Sequence, residues 1–145
     1  MKKMKILHIL YSGLGGHGNV FFSFLDADKE KAFKYEALFF GVEEVRAGYI
    51  ENAEAKNIPW YFVKKKPGFD LASFRSISNI VKQSAPDIIF IHGGGYIFQA
   101  KWAALFAPQK TRIVVRETKP NHLKTKLEWL GLAASLVFAF KVVFL

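Results

Sequence analysis

Five residues stand where predicted apolar strands end, and their types suit ligand chemistry. His92 ends one apolar run and is followed by Gly93 and Gly94, while Arg116 and Glu117 end another. Titratable groups at the carboxyl end of a buried parallel strand belong in a ligand crevice or in an ion pair. His92 could hydrogen-bond a ligand hydroxyl or a phosphate, or carry a proton. We therefore predict that these five residues line a ligand crevice.

A glycine-rich turn follows the first predicted strand. Gly13, Gly15 and Gly18 match G-x-G-x-x-G, with Gly16 and His17 between them. Glycines permit a tight turn and close backbone approach, and the helix that follows offers unpaired N–H groups to an anion. We interpret Gly13, Gly15 and Gly16 as a diphosphate-binding loop. A positive charge is disfavoured at a helix N-terminus, so His17 is expected to be neutral.

No catalytic residue follows from spacing alone, and the candidates are His92, Glu117 and His17. His8 lies within the first predicted strand, so we expect a core histidine with satisfied hydrogen bonds. His122 is expected at the surface. The histidines show no pairing at metal-ligand spacing and no acidic cluster accompanies them, so no metal site is predicted.

The elements that must position these residues alternate along the chain. Strands are predicted over Ile6–Tyr11, Tyr35–Phe40, Trp60–Val63, Ile88–Ile91, Arg112–Thr118 and Val142–Leu145, with helices between them. One of these helices is predicted to begin with Asp70 as its N-cap and to carry on one face Leu71, Phe74, Ile77, Ile80 and Val81. The last helix is predicted over Leu123–Phe138. Continuous apolar runs are typical of parallel strands buried on both faces. About six strands alternating with helices predict a three-layer α/β fold, a Rossmann-like doubly wound parallel sheet. We interpret residues 1–145 as one such domain.

Composition limits the classes of protein and partner. The chain has 145 residues, 51% of them hydrophobic, which is enough for one core. It has no cysteine, so a disulfide framework is excluded and the reducing cytoplasm is the expected compartment. The longest uncharged run is shorter than the about 20 residues that span a bilayer. The apolar end at Leu145 leads us to expect a longer parent protein.

The formal net charge of +9 favours anionic partners. Nucleic acid is disfavoured, because no recognition-helix, zinc-finger or RNP-type pattern accompanies the charge. Lys124 and Lys126 precede Trp129 in a Leu-rich predicted helix, which fits a contact with an anionic membrane surface. The alternative is a helix that simply packs its apolar face on the sheet.

The order of these motifs resembles the N-terminal domain of GT-B glycosyltransferases, specifically the glycosyltransferase family 4-like group. Such domains open with a K-I-L-H-V-L-type strand and a glycine pair, and continue with "g-I-P-v", "d-L" and "P-D-I-I-h-x-H" segments. The matching segments are Lys5–Leu10, Gly15-Gly16, Asn57–Trp60, Asp70-Leu71 and Pro86–His92. The match covers essentially the whole chain.

The resemblance implies one half of a cytoplasmic hexosyltransferase, and a peripheral location on the inner face of the cell membrane stays open. A sugar would pass from a nucleotide-sugar, a UDP- or GDP-sugar, to a glycan or lipid-linked acceptor in cell-surface polysaccharide synthesis. No cofactor would be bound tightly. The N-terminal domain mainly holds the acceptor, and a C-terminal domain holds most of the donor. That second domain would be supplied in cis or by a partner chain, and this chain alone would have little activity.

Two segments depart from the family pattern, and two other functions stay open. His17-Gly18-Asn19 stands where members often have A-E-R, and Arg116-Glu117-Thr118 stands where they commonly have a histidine. The first alternative is an NAD- or nucleotide-binding domain of an oxidoreductase-like protein, for which an acidic residue is expected near the end of the second strand. Glu43 lies slightly beyond the end of the second predicted strand, where that acidic residue is expected. The second alternative is a non-catalytic membrane-associated module.

Overall fold

The computed structural model describes residues 2–144, so the predicted strand residue Leu145 falls outside it. Within that range strands and helices alternate. The strands are β1 (Met4–Tyr11), β2 (Phe33–Gly41), β3 (Trp60–Lys64), β4 (Ile88–His92), β5 (Arg112–Glu117) and β6 (Lys141–Phe144). The α-helices are α1 (His17–Ala27), α2 (Ala47–Ala55), α3 (Leu71–Ser84), α4 (Ile97–Leu105) and α5 (Lys126–Phe138).

The strands form one parallel sheet in the order β3-β2-β1-β4-β5-β6. This confirms the predicted doubly wound fold. The middle of β1 lies in register with both neighbours, so that Ile9 faces Leu38 and Ile91. All three side chains are fully buried. The order reverses between β1 and β4, and their carboxyl ends therefore flank the crevice of an open α/β sheet.

Helix α3 begins at Leu71, and Asp70 is its N-cap, as predicted. The Asp70 carboxylate accepts hydrogen bonds from the backbone N–H groups of Ala72 at 3.1 Å and Lys66 at 2.9 Å. An N-cap of this kind contributes about 1 kcal/mol to stability. The predicted apolar face is partly wrong, because Leu71 in the first turn is 70% exposed, whereas Ile77 is fully buried.

Helix α5 begins three residues later than predicted. A short 3-10 turn, Asn121–Leu123, comes first, and Thr125 then caps the helix in a reciprocal capping box with Glu128. Each residue of that box satisfies a backbone N–H of the other, which fixes the start of the helix. Helix α5 packs beside the 3-10 turn Gly94–Tyr96 that follows β4.

Candidate functional site

The sheet brings two glycine turns together at the point where the strand order reverses. One turn connects β1 to α1 and the other connects β4 to α4. His17 begins α1 and His92 ends β4, and their ring centroids lie 5.5 Å apart. The two predicted candidates therefore share one crevice, although 75 residues separate them in sequence.

A cavity of about 260 Å³ lies in this crevice, and we call it the crevice cavity. Its lining consists of His17, His92, residues 93–96, residues 117–119 and Glu128. The structure thus gathers five predicted site residues, His17, His92, Gly93, Gly94 and Glu117. Tyr96, Lys119 and Glu128 join them without having been predicted. Gly13, Gly15, Gly16 and Arg116 do not line it.

His92 is held by a second buried histidine. Its Nε2 lies 3.1 Å from Nδ1 of His8 on the adjacent strand, and both side chains are 2% exposed. Burial lowers the pKa of His8 to about 3. Burial, followed by unfavourable interactions with the imidazoles of His8 and His17 and with Arg116, lowers the pKa of His92. Both rings are therefore neutral at pH 7. The expectation of a fully satisfied His8 was wrong, because its Nε2 has no hydrogen-bond partner among residues 2–144.

His17 is neutral for a related reason. Its Nδ1 accepts the backbone N–H of Tyr11 at 3.2 Å. Burial, followed by the positive charge of Arg116, lowers the pKa of His17. Arg116 pairs with His92 across β4 and β5. The guanidinium therefore contributes charge to the site although it does not line the crevice cavity.

Glu117 is the buried carboxylate of the site, with 7% of its surface exposed. It accepts the backbone N–H of Lys119 at 3.1 Å, and Nζ of Lys124 lies 3.6 Å from the same oxygen. The Lys124 side chain is only 1% exposed. The prediction that Lys124 contacts a membrane is therefore wrong, because its ammonium group is buried beside Glu117. Lys126 and Trp129 are exposed.

Glu128 and Lys119 form a second ion pair at the rim of the cavity. Lys119 Nζ donates to both carboxylate oxygens, at 2.6 and 2.9 Å. This pairing, together with the N–H of Thr125, lowers the pKa of Glu128 to about 2. The T-x-x-E signature of a capping box was present in the sequence and could have placed Glu128 at the start of α5.

The glycine turn after β1 is shaped by two aromatic side chains. A Cβ on Gly18 would lie 2.4 Å from the ring of Tyr49, whose hydroxyl donates to the backbone oxygen of Gly15 at 2.8 Å. Gly16 caps α1 without a side-chain hydrogen bond. The first N–H groups of α1 thus remain available to an anion. Glu43 reaches the turn and accepts the hydroxyl of Tyr11 at 2.8 Å.

An apolar groove of about 720 Å³ adjoins the crevice cavity. It shares Gly94, Gly95 and Glu128 with that cavity. The other lining residues are Lys65, Gly68, Phe69, Asp70, Phe74, Phe98, Gln99, Leu127 and Gly131. Phe69 and Leu127 are 80% and 75% exposed. A groove of this size, mostly apolar with a few polar groups, has the character of a small-molecule site.

Neither a metal-binding cluster nor a membrane-spanning helix is found in the part of the chain that the structure describes. Residues 2–144 contain no group of three or more His, Asp or Glu side chains placed to hold a metal ion. None of the helices described is both long and apolar enough to cross a membrane.

No protein-family model matches the sequence, and no curated protein sequence matches it. Solved structures do match. A protein of Listeria monocytogenes named as a UDP-N-acetylglucosamine 2-epimerase is 18% identical with a TM-score of 0.66, over 98% of this chain and 39% of that one. Anabaena HepE, solved with UDP and glucose, is 18% identical with a TM-score of 0.65, over 96% and 37%.

A third match is WaaB, a lipopolysaccharide outer core galactosyltransferase. It is 21% identical with a TM-score of 0.56, over 77% of this chain and 32% of that chain. The chain has the fold found in these GT-B-type structures. It spans about a third to two fifths of the length of the three proteins. At these identities the likeness shows the fold alone.

Proposed function

We propose that this chain is the acceptor-side half of a hexosyltransferase that moves a sugar from a nucleotide-sugar to a glycan or lipid-linked acceptor, in cell-surface polysaccharide synthesis. The observation that carries the proposal is the continuity of the crevice cavity with the apolar groove through Gly94, Gly95 and Glu128. The polar end of an acceptor fits the cavity, and an apolar chain attached to it fits the groove. The GT-B-type fold supports this assignment.

The donor side is assigned to the turn after β1. The first N–H groups of α1 are not capped by a side chain, and Gly16 has open space around the position of a Cβ. A diphosphate of a UDP- or GDP-sugar can therefore approach the backbone at Gly13, Gly15 and Gly16. Most of the nucleotide-sugar would be held by a second domain, in cis or on a partner chain. Transfer then takes place in the cleft between the two halves.

The exposed residues of α5 support a peripheral membrane contact on the cytoplasmic face. Trp129, Leu130 and Leu136 are 45–60% exposed, and Lys126 lies at the start of the same helix. Aromatic and aliphatic side chains beside a lysine suit the interface of an anionic bilayer. Sedimentation with anionic liposomes at low salt tests this contact, and a protein that stays in the supernatant would contradict it.

The transfer itself is tested on the native protein purified from its source, with whatever second domain or partner chain accompanies it. UDP- and GDP-sugars are offered with membrane lipid extract, and transfer of radiolabelled sugar to the lipid or glycan fraction is measured. We expect transfer in the wild type and a loss of about 100-fold or more in Glu117→Gln. His122→Gln, at an exposed position, is the control and should retain activity. A native protein that transfers no sugar from any donor would refute the proposal.

The NAD-binding alternative has one observation in its favour. The carboxylate of Glu43 reaches the first glycine turn, where a Cβ on Gly13 would lie 2.1 Å from Glu43 Oε2. An acidic residue beside such a turn can bind a ribose hydroxyl. Calorimetric titration of this chain with NAD decides the question. Saturable binding that is lost in Glu43→Ala would favour the alternative, and a titration without heat would exclude it.

A further inference from the structure

Lys65 follows β3 directly, at the edge of the sheet where the strands have their carboxyl ends. Its backbone N–H donates to the backbone oxygen of Gly41, the last residue of β2, at 2.7 Å. The residue is half-buried, and its Nζ donates to the backbone oxygen of Gly68 at 2.8 Å. Because Gly68 lines the apolar groove, this bond places the ammonium group of Lys65 at the wall of that groove.

The positive charge of Lys65 is not compensated by a carboxylate. Lys65 is the only cationic residue among those that line the apolar groove, and it forms no salt bridge within residues 2–144. The two carboxylates of the groove are already engaged. Lys119 donates to both oxygens of Glu128, and each oxygen of Asp70 accepts a backbone N–H group. An ammonium group has further N–H donors beyond the one used on Gly68, so Lys65 can bind an anion.

Three cavities meet beside this lysine. Lys65, Gly95 and Gln99 line both the apolar groove and a smaller cavity of about 280 Å³. Gly95 also lines the crevice cavity. Apart from its chain neighbours, no atom of the described residues lies within 4 Å of where a Cβ on Gly95 would be. A ligand can therefore extend from the apolar groove past Lys65 and Gly95 into the crevice cavity.

The group that binds at this junction must carry a negative charge and also join two parts of a molecule. A phosphate does both, because it can be esterified to a hydrocarbon chain on one side and to a sugar on the other and still keep a negative charge. A carboxylate ends a chain, and its ester is neutral. Lysine is a common phosphate-binding residue. The apolar lining of the groove suits the hydrocarbon part and includes Phe69, Phe74, Phe98 and Leu127.

We propose that Lys65 is the residue by which this protein selects an acceptor that carries a phosphate next to a hydrocarbon chain. The phosphate binds the ammonium group of Lys65, and the chain lies in the apolar groove. A sugar attached to the phosphate reaches the crevice cavity. This assignment rests on the proposed function, because it orders the parts of the acceptor along that same site.

Calorimetric titration of the protein with farnesyl phosphate and with farnesol tests the proposal. The wild type should bind farnesyl phosphate at least about tenfold more tightly than farnesol. Lys65→Gln removes the charge and should abolish most of this difference while farnesol binding stays unchanged. Unchanged farnesol binding also shows that the variant is folded. Lys65→Arg keeps the charge and should keep most of the preference.

Lys66→Gln is the matched control, because it removes the same charge from a neighbouring side chain that lines none of these three cavities. Equal weakening by the two Gln variants would overturn the proposal, as would equal binding of farnesyl phosphate and farnesol to the wild type. Inorganic phosphate and dodecanoate should each bind more weakly than farnesyl phosphate. If either binds as tightly, the groove does not recognise a phosphate on a hydrocarbon chain.

These titrations separate the failure of this inference from the failure of the proposed function, because they involve no sugar transfer. A native protein that transfers no sugar but prefers farnesyl phosphate through Lys65 would refute the proposed function alone. A native protein that transfers sugar, but whose wild type binds farnesyl phosphate and farnesol equally, would refute only the role of Lys65.

Discussion

Gly94 and Gly131 lie so close that their backbones touch. A Cβ on Gly131 would lie 2.7 Å from the backbone oxygen of Gly94, and a Cβ on Gly94 would lie 2.9 Å from the carbonyl carbon of Gly131. The contact joins α5 to the turn after β4, and both glycines line the apolar groove. Helix α5 can therefore pack this closely against the crevice only because neither position carries a side chain.

Replacement of Gly131 by alanine should destabilise the protein. Alanine normally improves a helix by up to about 1 kcal/mol relative to glycine. Here its Cβ would collide with backbone, and overpacking of this kind costs about 1–3 kcal/mol. We expect a net loss, measured as the free energy of unfolding in urea. Gly48→Ala, also in a helix but with nothing within 4 Å of its Cβ, should be neutral or stabilising. Equal effects of the two substitutions would contradict this account.

The turn after β1 should depend on Tyr49. Gly18→Ala would place a Cβ 2.4 Å from the ring of Tyr49. We expect a loss of about 1–3 kcal/mol in unfolding free energy. Gly16→Ala, with open space around it, is the matched control within the same turn. In a Tyr49→Leu background the cost of Gly18→Ala should shrink, because the clashing ring is gone. A cost that is independent of residue 49 would refute the steric explanation.

The buried histidines should make stability depend on pH. The pKa values of His8 and His92 are lowered by burial, so the unfolded chain binds more protons below its histidine pKa of about 6.5. The contribution of each buried histidine to the free energy of unfolding is then fully present above about pH 6.5. It is lost as the pH decreases, by up to about 1.4 kcal/mol per pH unit for each histidine. Urea unfolding between about pH 5 and 7 measures the slope.

Variants assign that slope to particular residues. His92→Gln removes one titrating group and should reduce the slope by roughly 1.4 kcal/mol per pH unit. His122→Gln should leave the slope unchanged, because His122 is exposed. A wild-type stability that is independent of pH over this range would show that the buried rings do not remain neutral.

The apolar groove should bind the hydrocarbon part of an amphiphile. Farnesyl phosphate serves as a probe of a lipid-linked acceptor, and its binding is followed by calorimetry. Leu127→Glu introduces a charge into the groove and should weaken binding about tenfold or more, which corresponds to about 1.4 kcal/mol. Leu136→Glu is the matched control, since Leu136 is 60% exposed on the same helix but does not line the groove. Equal weakening by both variants would point to a general surface effect.

The sequence alone determined the order of elements and the ends of strands at which ligand chemistry is placed. The apolar runs ending in His92 and in Arg116-Glu117 carry that information locally, because a buried parallel strand leaves its polar residues at its carboxyl end. The α3 cap at Asp70 was equally local. The start of α5 was missed, although Thr125 and Glu128 carry the capping-box signature.

Only the tertiary structure decided which of these residues meet. His8 and His92 lie 84 positions apart and bond through the pairing of β1 with β4. Lys124 had the composition of a membrane anchor, yet its charge is buried beside Glu117 because the chain after β5 folds back over that strand end. Gly94 was predicted to line the ligand crevice, but no pattern in the sequence indicated that its backbone would meet that of Gly131. Such contacts depend on sheet register and helix docking, which sum many weak interactions across the whole chain and leave no local pattern in sequence.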